Sequence, residues 1–211
     1  MNYNLCDYAT VDALLKRYGF TFSKALGQNF LIDDSVCPRM AEALGADGHP
    51  AVIEIGAGVG VLTKELCRRA GKVVCIELDK RLFPVLDETL GEFDNLALVH
   101  GDVMQLDLNA LISEKCSGYA SVKVCANLPY YITSPVITTL LESHLPIDEI
   151  VVMVQKEAAQ RLCAEMGTRN AVFLLCRRGF FTAEKNRSQL AFLHLGETER
   201  RRQRGAAALR N

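Results

Sequence analysis

No stretch of this 211-residue sequence reaches the roughly 18 uncharged apolar residues that a membrane-crossing helix needs, and its first ten residues carry no apolar signal core. Neither export nor membrane insertion is indicated, so a cytoplasmic location is the expectation. The eight cysteines include no C-x-x-C pair, and several sit in apolar patterns such as Val74-Cys75-Ile76 and Val124-Cys125-Ala126. They read as reduced core residues rather than disulfides or metal ligands. His49, His100, His144 and His194 form no ligand cluster either, and no metal is expected. Proline is absent after Pro146.

With 49% hydrophobic and 23% charged residues, the chain is long enough for one good core with an appendage. Its net charge of −1 hides a division. From Asn170 onward nine Lys/Arg face three Asp/Glu, net +6, and the remainder carries −7. The change marks a boundary, giving residues 1–169 as the domain and 170–211 as a basic, poorly packed tail. The acidic majority is not a generally basic nucleic-acid binder, so any RNA contact there must use a local patch.

The sequence is organised around Val52 to Thr63. Val52, Ile53 and Ile55 run into Gly56, Gly58 and Gly60 and then into a helical pattern, which reads as buried strand, glycine turn and helix N-terminus. A nucleotide-like cofactor fits such a turn. The dinucleotide fingerprint needs a third glycine where Val61 stands. The run Glu54-Ile55-Gly56-Ala57-Gly58-Val59-Gly60 instead resembles motif I of class I S-adenosylmethionine (SAM) methyltransferases. A second strand, Lys72 to Ile76, ends at Glu77, 21 residues after Gly56, where an acid can accept both hydroxyls of a ribose. Asp79 caps the helix Lys80 to Leu90. Leu96 to Val99 is a third strand, leading to Asp102, which can accept from an adenine amino group or cap its own turn. Strand four, Val122 to Ala126, and strand five, Glu149 to Val154, alternate with helices, one starting at Ser134-Pro135 and one over Gln155 to Met166. Near the start, Thr10 caps a helix through Tyr18, and Asp33 or Asp34 caps another through Leu44. The rhythm predicts an open, mainly parallel Rossmann-like sheet with helices on both faces.

Asn127-Leu128-Pro129-Tyr130 closes strand four. Asn127 offers a side-chain acceptor, Leu128 and Pro129 offer carbonyls, and Tyr130 offers a flat aromatic face; that set suits an exocyclic amine on a planar base. An adenine N6 lone pair is delocalised into the ring. Two acceptors holding its N–H groups bias the nitrogen toward a pyramidal geometry, while stacking holds a base that has left its own stack. Attack on a sulfonium methyl then depends on position more than on acid or base strength.

Leu26-Gly27-Gln28-Asn29-Phe30-Leu31, Glu54 to Gly60, Glu77-Leu78-Asp79, Gly101-Asp102 and Asn127-Leu128-Pro129-Tyr130-Tyr131 resemble, in order and spacing, the KsgA-type small-subunit rRNA adenine N6-dimethyltransferases. Met153 to Glu157, Arg161-Leu162 and Gly167-Thr168 carry the resemblance to about residue 169, roughly four fifths of the chain. The resemblance implies S-adenosyl-L-methionine as cofactor, with Asn29 and Leu31 at its methionine and sugar end and Gly56 and Gly58 against the methionine part. Glu77 with Leu78 then holds the ribose, and Asp102 with Val103 brackets the adenine. Asn127, with the Leu128 and Pro129 carbonyls, orients the target N6, and Tyr130 stacks on the base. The implied product is dimethyladenosine at two adjacent adenines in a 3′-end hairpin loop of small-subunit rRNA, made by a monomer on a pre-ribosomal particle. The Erm-type large-subunit rRNA methyltransferases share most of these motifs, but Leu26-Gly27, Leu128 and Tyr131 resemble the KsgA side.

After Arg169 the resemblance stops. Family members continue through a Phe-x-Pro-x-Pro loop and a strand resembling Val-Asp-Ser-Ala-Val-Val-Arg-Leu to a small helical domain, which is expected to be absent here. Arg201 to Ala208, read one nucleotide on, permits Val-Asp-Ser-Ala-Val-Leu-Arg-Leu, so a frameshift near codon 170 is one reading. A real basic tail is the other, with Arg177, Arg178 and Arg200 to Arg204 on rRNA phosphates and 171–176 and 190–195 as strands on the sheet edge. The rival functions are a SAM-binding assembly factor without catalysis and a nicotinamide oxidoreductase, the latter weakened by Val61.

Overall fold

The computed structural model describes residues 3–20, 31, 33–129 and 131–154, with the backbone alone for 30, 155, 171–176, 180–181 and 190–196. Gln155, the expected start of a helix to Met166, is a strand residue, and the rest of that helix, together with Gln28, Asn29, Tyr130 and the arginines of the tail, lies outside the described residues.

The first helix, α1 (Tyr8–Arg17), starts ahead of the expected cap. Asp7 accepts the Thr10 N–H at 2.9 Å and the Thr10 hydroxyl at 2.6 Å. A carboxylate is a stronger acceptor than a hydroxyl at the positive end of a helix, so Asp7 takes the cap and Thr10 falls inside. In α2 (Val36–Ala43) neither Asp33 nor Asp34 takes the expected cap: Ser35 stands at the cap position without a side-chain bond to the helix, while Asp33 accepts the Ser35 N–H at 3.0 Å just ahead of it, and Gly45 leaves the helix at φ 61°.

Five parallel strands form the centre: β2 (Ala51–Ile55), β3 (Lys72–Glu77), β4 (Leu96–His100), β5 (Val122–Asn127) and β6 (Glu149–Gln155). They lie in the order β4-β3-β2-β5-β6. On the far side β9 (Leu190–Gly196) runs antiparallel to β6, and β7 (Ala171–Cys176) runs antiparallel to β9. The two late strands expected on the sheet edge are thus present. A separate two-stranded ribbon pairs β1 (Phe30–Leu31) with β8 (Phe180–Phe181).

Helices α3 (Val61–Arg69), α4 (Phe83–Leu90), α5 (Leu108–Lys115) and α6 (Thr133–Glu142) complete the layers. Strand alternation divides β2 between them. Ala51, Ile53 and Ile55 pack with Ile112, Val136 and Ile137 of α5 and α6, and Val52 packs with Met40 and Leu66 of α2 and α3. A third cluster joins α1 and α4 through Leu14, Leu15, Leu86 and Leu90. This is the predicted Rossmann-like sheet with helices on both faces.

β3 and β4 extend from β2 in one direction, β5 and β6 in the other, so strand order reverses between β2 and β5. In open parallel sheets the crevice at such a reversal, beyond the carboxyl ends of the strands, is where ligands bind. Gly56, directly after β2, opens into it. Gly60 serves packing instead: at φ 91° a Cβ there would stand 3.0 Å from Leu90 Cδ1. Gly60→Ala is expected to lower stability by about 1–3 kcal/mol in urea unfolding, because strain and overpacking add at one position.

Candidate cofactor and base site

Three glycines of the turn hold positive φ: 82° at Gly56, 56° at Gly58 and 91° at Gly60. The Gly56 N–H donates to Ile76 O at 2.8 Å, which carries the ladder one residue past β2. The Gly58 N–H donates to Glu77 Oε2 at 3.1 Å, and the Asp79 N–H to Oε1 at 2.9 Å. Glu77 therefore ties the glycine turn to the loop after β3. Burial raises its pKa, and the backbone donors of Asp79, Gly58 and Leu78 oppose that rise. An ionised carboxylate has about four lone-pair sites, so acceptor capacity remains for hydroxyls. Asp79 accepts the Arg81 N–H at 3.1 Å, but what it caps is a 3-10 turn over Lys80–Leu82; the α-helix expected from Lys80 starts at Phe83.

Asp102 lies beyond β4 and accepts the Met104 N–H at 2.9 Å through Oδ1 and the Gln105 amide at 3.2 Å through Oδ2. The turn-capping role offered by the sequence is thus present. Val103 beside it is buried, while Leu78 and Met104 leave large apolar surfaces exposed at the same pole of the sheet.

Asn127 is the last residue of β5, in register with Met153 of β6. Its carbonyl oxygen lies 4.0 Å from where a Gly56 Cβ would stand, so the glycine turn and the Asn-Leu-Pro turn share a wall. Leu128 is buried and Pro129 half-buried. Pro129 O accepts the Ile132 N–H at 3.2 Å and the Thr133 hydroxyl at 3.1 Å. The Pro129 carbonyl thus already holds two donors within its own turn. The same two bonds start α6 at Thr133 with Ile132 as cap, not at the Ser134-Pro135 pair the sequence favoured. Asn29 and Tyr130 lie outside the described residues; Tyr131 is 56% exposed.

A cavity at this junction is lined by Leu31, Cys37, Glu54, Gly56, Ala57 and Asn127 among others. Leu31 is buried in its wall. Glu54 is the residue the sequence reading left without a role. It is fully buried, and both its oxygens lack a hydrogen-bond partner. An acid flanked by Ile53 and Ile55 in a buried strand was the signal available. Among the described residues no group of three His, Cys, Asp or Glu side chains is placed to hold a metal, and no helix is long and apolar enough to cross a membrane.

Sheet order, glycine turn and the acid closing β3 define a class I, Rossmann-like methyltransferase domain. The model of the ribosomal RNA adenine dimethylase family matches residues 19–178, and the chain belongs to that family. Ribosomal RNA small subunit methyltransferase A of Geobacillus thermodenitrificans is 50% identical over 157 residues, covering 74% of this chain and 54% of the relative. The Bacillus licheniformis protein of the same name is 42% identical over 185 residues, covering 88% and 63%. The chain thus spans little more than half the length of these curated relatives. Among solved structures, the 23S rRNA methyltransferase ErmE superposes with TM-score 0.65 at 25% identity, covering 81% of this chain and 70% of that one. A dimethyladenosine transferase from Plasmodium falciparum gives TM-score 0.61 at 25% identity, covering 79% and 62%.

Proposed function

We propose that this chain binds S-adenosyl-L-methionine across Gly56 to Gly60 and transfers methyl groups to N6 of two adjacent adenines in a 3′-end loop of small-subunit rRNA. The observation that carries the reading is the shared wall: the acceptor turn at Asn127 abuts the glycine turn at Gly56, so a base amine held by one meets a methyl held by the other. The cradle fits the cofactor through its positive-φ glycines, the acceptor capacity of Glu77 and the buried acid at its floor. The cofactor supplies an electrophilic methyl on a sulfonium sulfur.

Gly56 and Gly58 admit the amino-acid end by having no side chain, Glu77 with Leu78 takes the ribose, and Asp102 with Val103 borders the adenine. Asn29 and Leu31 close the methionine side. Asn127 and the Leu128 carbonyl accept the two N6 hydrogens, and Tyr130 stacks on the target base. Pro129 sets the turn. Transfer needs no metal, because the leaving group is a neutral thioether and the N6 proton passes to solvent.

Thr133 positions that turn through its bond to Pro129 O. Thr133→Val, which keeps the shape and loses the donor, is expected to lower kcat about tenfold with SAM affinity within about twofold, and Thr133→Ser to restore it.

The test of the reading is transfer of labelled methyl from SAM to immature small ribosomal subunits, with large-subunit rRNA as the competing substrate and SAM and NAD binding measured alongside. Incorporation as dimethyladenosine in the small-subunit RNA is the expected result. Incorporation only into large-subunit RNA favours the Erm-type activity, whose structural representative also superposes on this chain. SAM binding without transfer favours a non-catalytic assembly factor, with residues 170–211 serving as a basic tail around the strands β7 and β9.

A further inference from the structure

β4 ends at His100, in register with Glu77 at the end of β3. The main-chain ladder reaches one step further, with the Gly101 N–H donating to Glu77 O at 3.1 Å. The His100 side chain then carries the tie past the sheet, its Nε2 lying 3.2 Å from Leu78 O. A carbonyl oxygen only accepts, so Nε2 is the ring atom that bears the hydrogen in this bond. The imidazole is itself held: it meets the ring of Phe83, the first residue of α4, edge-on at 65° with the centroids 5.9 Å apart. Such a contact sets the plane of the imidazole and with it the direction of the N–H.

Core packing does not account for this arrangement. His100 is exposed, and Leu78, the residue it holds, is 48% exposed. The spacing of two loops is what the bond governs. Residues 77–79, after β3, form the ribose wall of the site proposed above, and 101–103, after β4, form its adenine wall. His100 belongs to the chain of the second wall and bonds the main chain of the first. Leu78 is thereby gripped on both sides, since its N–H is among the donors that favour the Glu77 carboxylate and its carbonyl takes His100.

We propose that His100 is a positioning residue for the adenosine half of the cofactor, and that by donating to Leu78 O it sets the separation of the ribose and adenine walls. The inference rests on the SAM reading. His100 acts through Leu78 and takes no part in methyl transfer, so its loss falls on affinity and spares the chemical step.

The test separates the donor from the ring. His100→Phe keeps an aromatic edge for Phe83 and loses the donor, whereas His100→Gln loses the ring and offers an amide N–H at a similar reach. Calorimetry gives Kd for SAM and for 5′-methylthioadenosine, which has the adenosine half and no amino-acid end, and transfer at saturating SAM gives kcat. His100→Phe is expected to weaken both ligands by the same factor, about fivefold, the worth of one hydrogen bond, with kcat within about twofold. His100→Gln is expected to bind both ligands within about twofold of the unaltered protein.

Unchanged affinity in His100→Phe overturns the inference, as does an equal loss in the two variants, which would assign the effect to the ring. A loss seen with SAM and not with 5′-methylthioadenosine would place it at the other end of the cofactor and also overturns it. A fall in kcat at saturating SAM with Kd unchanged does the same. Each of these outcomes leaves the SAM reading standing; absence of SAM binding by the unaltered protein removes both.

Discussion

Asn127→Ala is expected to cut methyl transfer to adenine by about a hundred- to a thousand-fold while leaving SAM affinity within about threefold. The two effects separate because Asn127 contributes different atoms to the two tasks. Its backbone, fixed by pairing of β5 with β2 and β6, faces the glycine turn and survives the substitution. Its side-chain oxygen is lost, and with Pro129 O already holding two donors, one acceptor remains for an amine that needs two. Single-turnover transfer at saturating SAM, with Kd from calorimetry, reads the two separately. Retained activity in Asn127→Ala would remove the N6-orienting role.

Glu77→Ala is expected to weaken SAM binding about 10- to 100-fold and to lower the urea midpoint as well. Loss of the carboxylate leaves the Gly58 and Asp79 N–H groups without the acceptor they now share, at a cost of about 1–3 kcal/mol for each buried donor left unsatisfied. The glycine turn then loses its tie to β3 before any cofactor arrives. Glu77→Gln retains one acceptor oxygen but turns an N–H₂ toward the other donor, and an intermediate loss is expected. Unaltered SAM affinity in Glu77→Ala would show that the ribose is held elsewhere.

The parallel sheet was legible because β2, β3, β5 and β6 are short β-branched runs bounded by glycine, charge or helix caps. The elements bordering the candidate site were legible at the ends of consecutive strands, where Gly56, Glu77 and Asn127 stand as the pattern placed them. Helix starts were less so. Thr10 and Ser134 are good caps by type, but capping is decided by which neighbour offers the better acceptor or the tighter turn, and Asp7 and Pro129 O decided it. The engagement of Pro129 O follows from the hydroxyl four residues later folding back, a contact that residue type does not specify. Glu54 was visible as an acid in an apolar strand. That it faces thiols and a hydroxyl rather than a cation depends on how α2 and α3 cross the sheet, which a single strand's pattern does not encode.

The order β6-β9-β7 sets a schedule for synthesis. β2 to β6 are joined by successive crossovers, each closing within about a few tens of residues, so the cofactor crevice can form while the chain is still emerging. β9 sits between β6 and β7 yet lies later in sequence than both, and until residues 190–196 leave the ribosome β6 is an open edge. A nascent chain stalled before that point is expected to carry a formed nucleotide crevice beside an unpaired, apolar strand, and that is the stage at which this protein is most exposed to edge-to-edge aggregation.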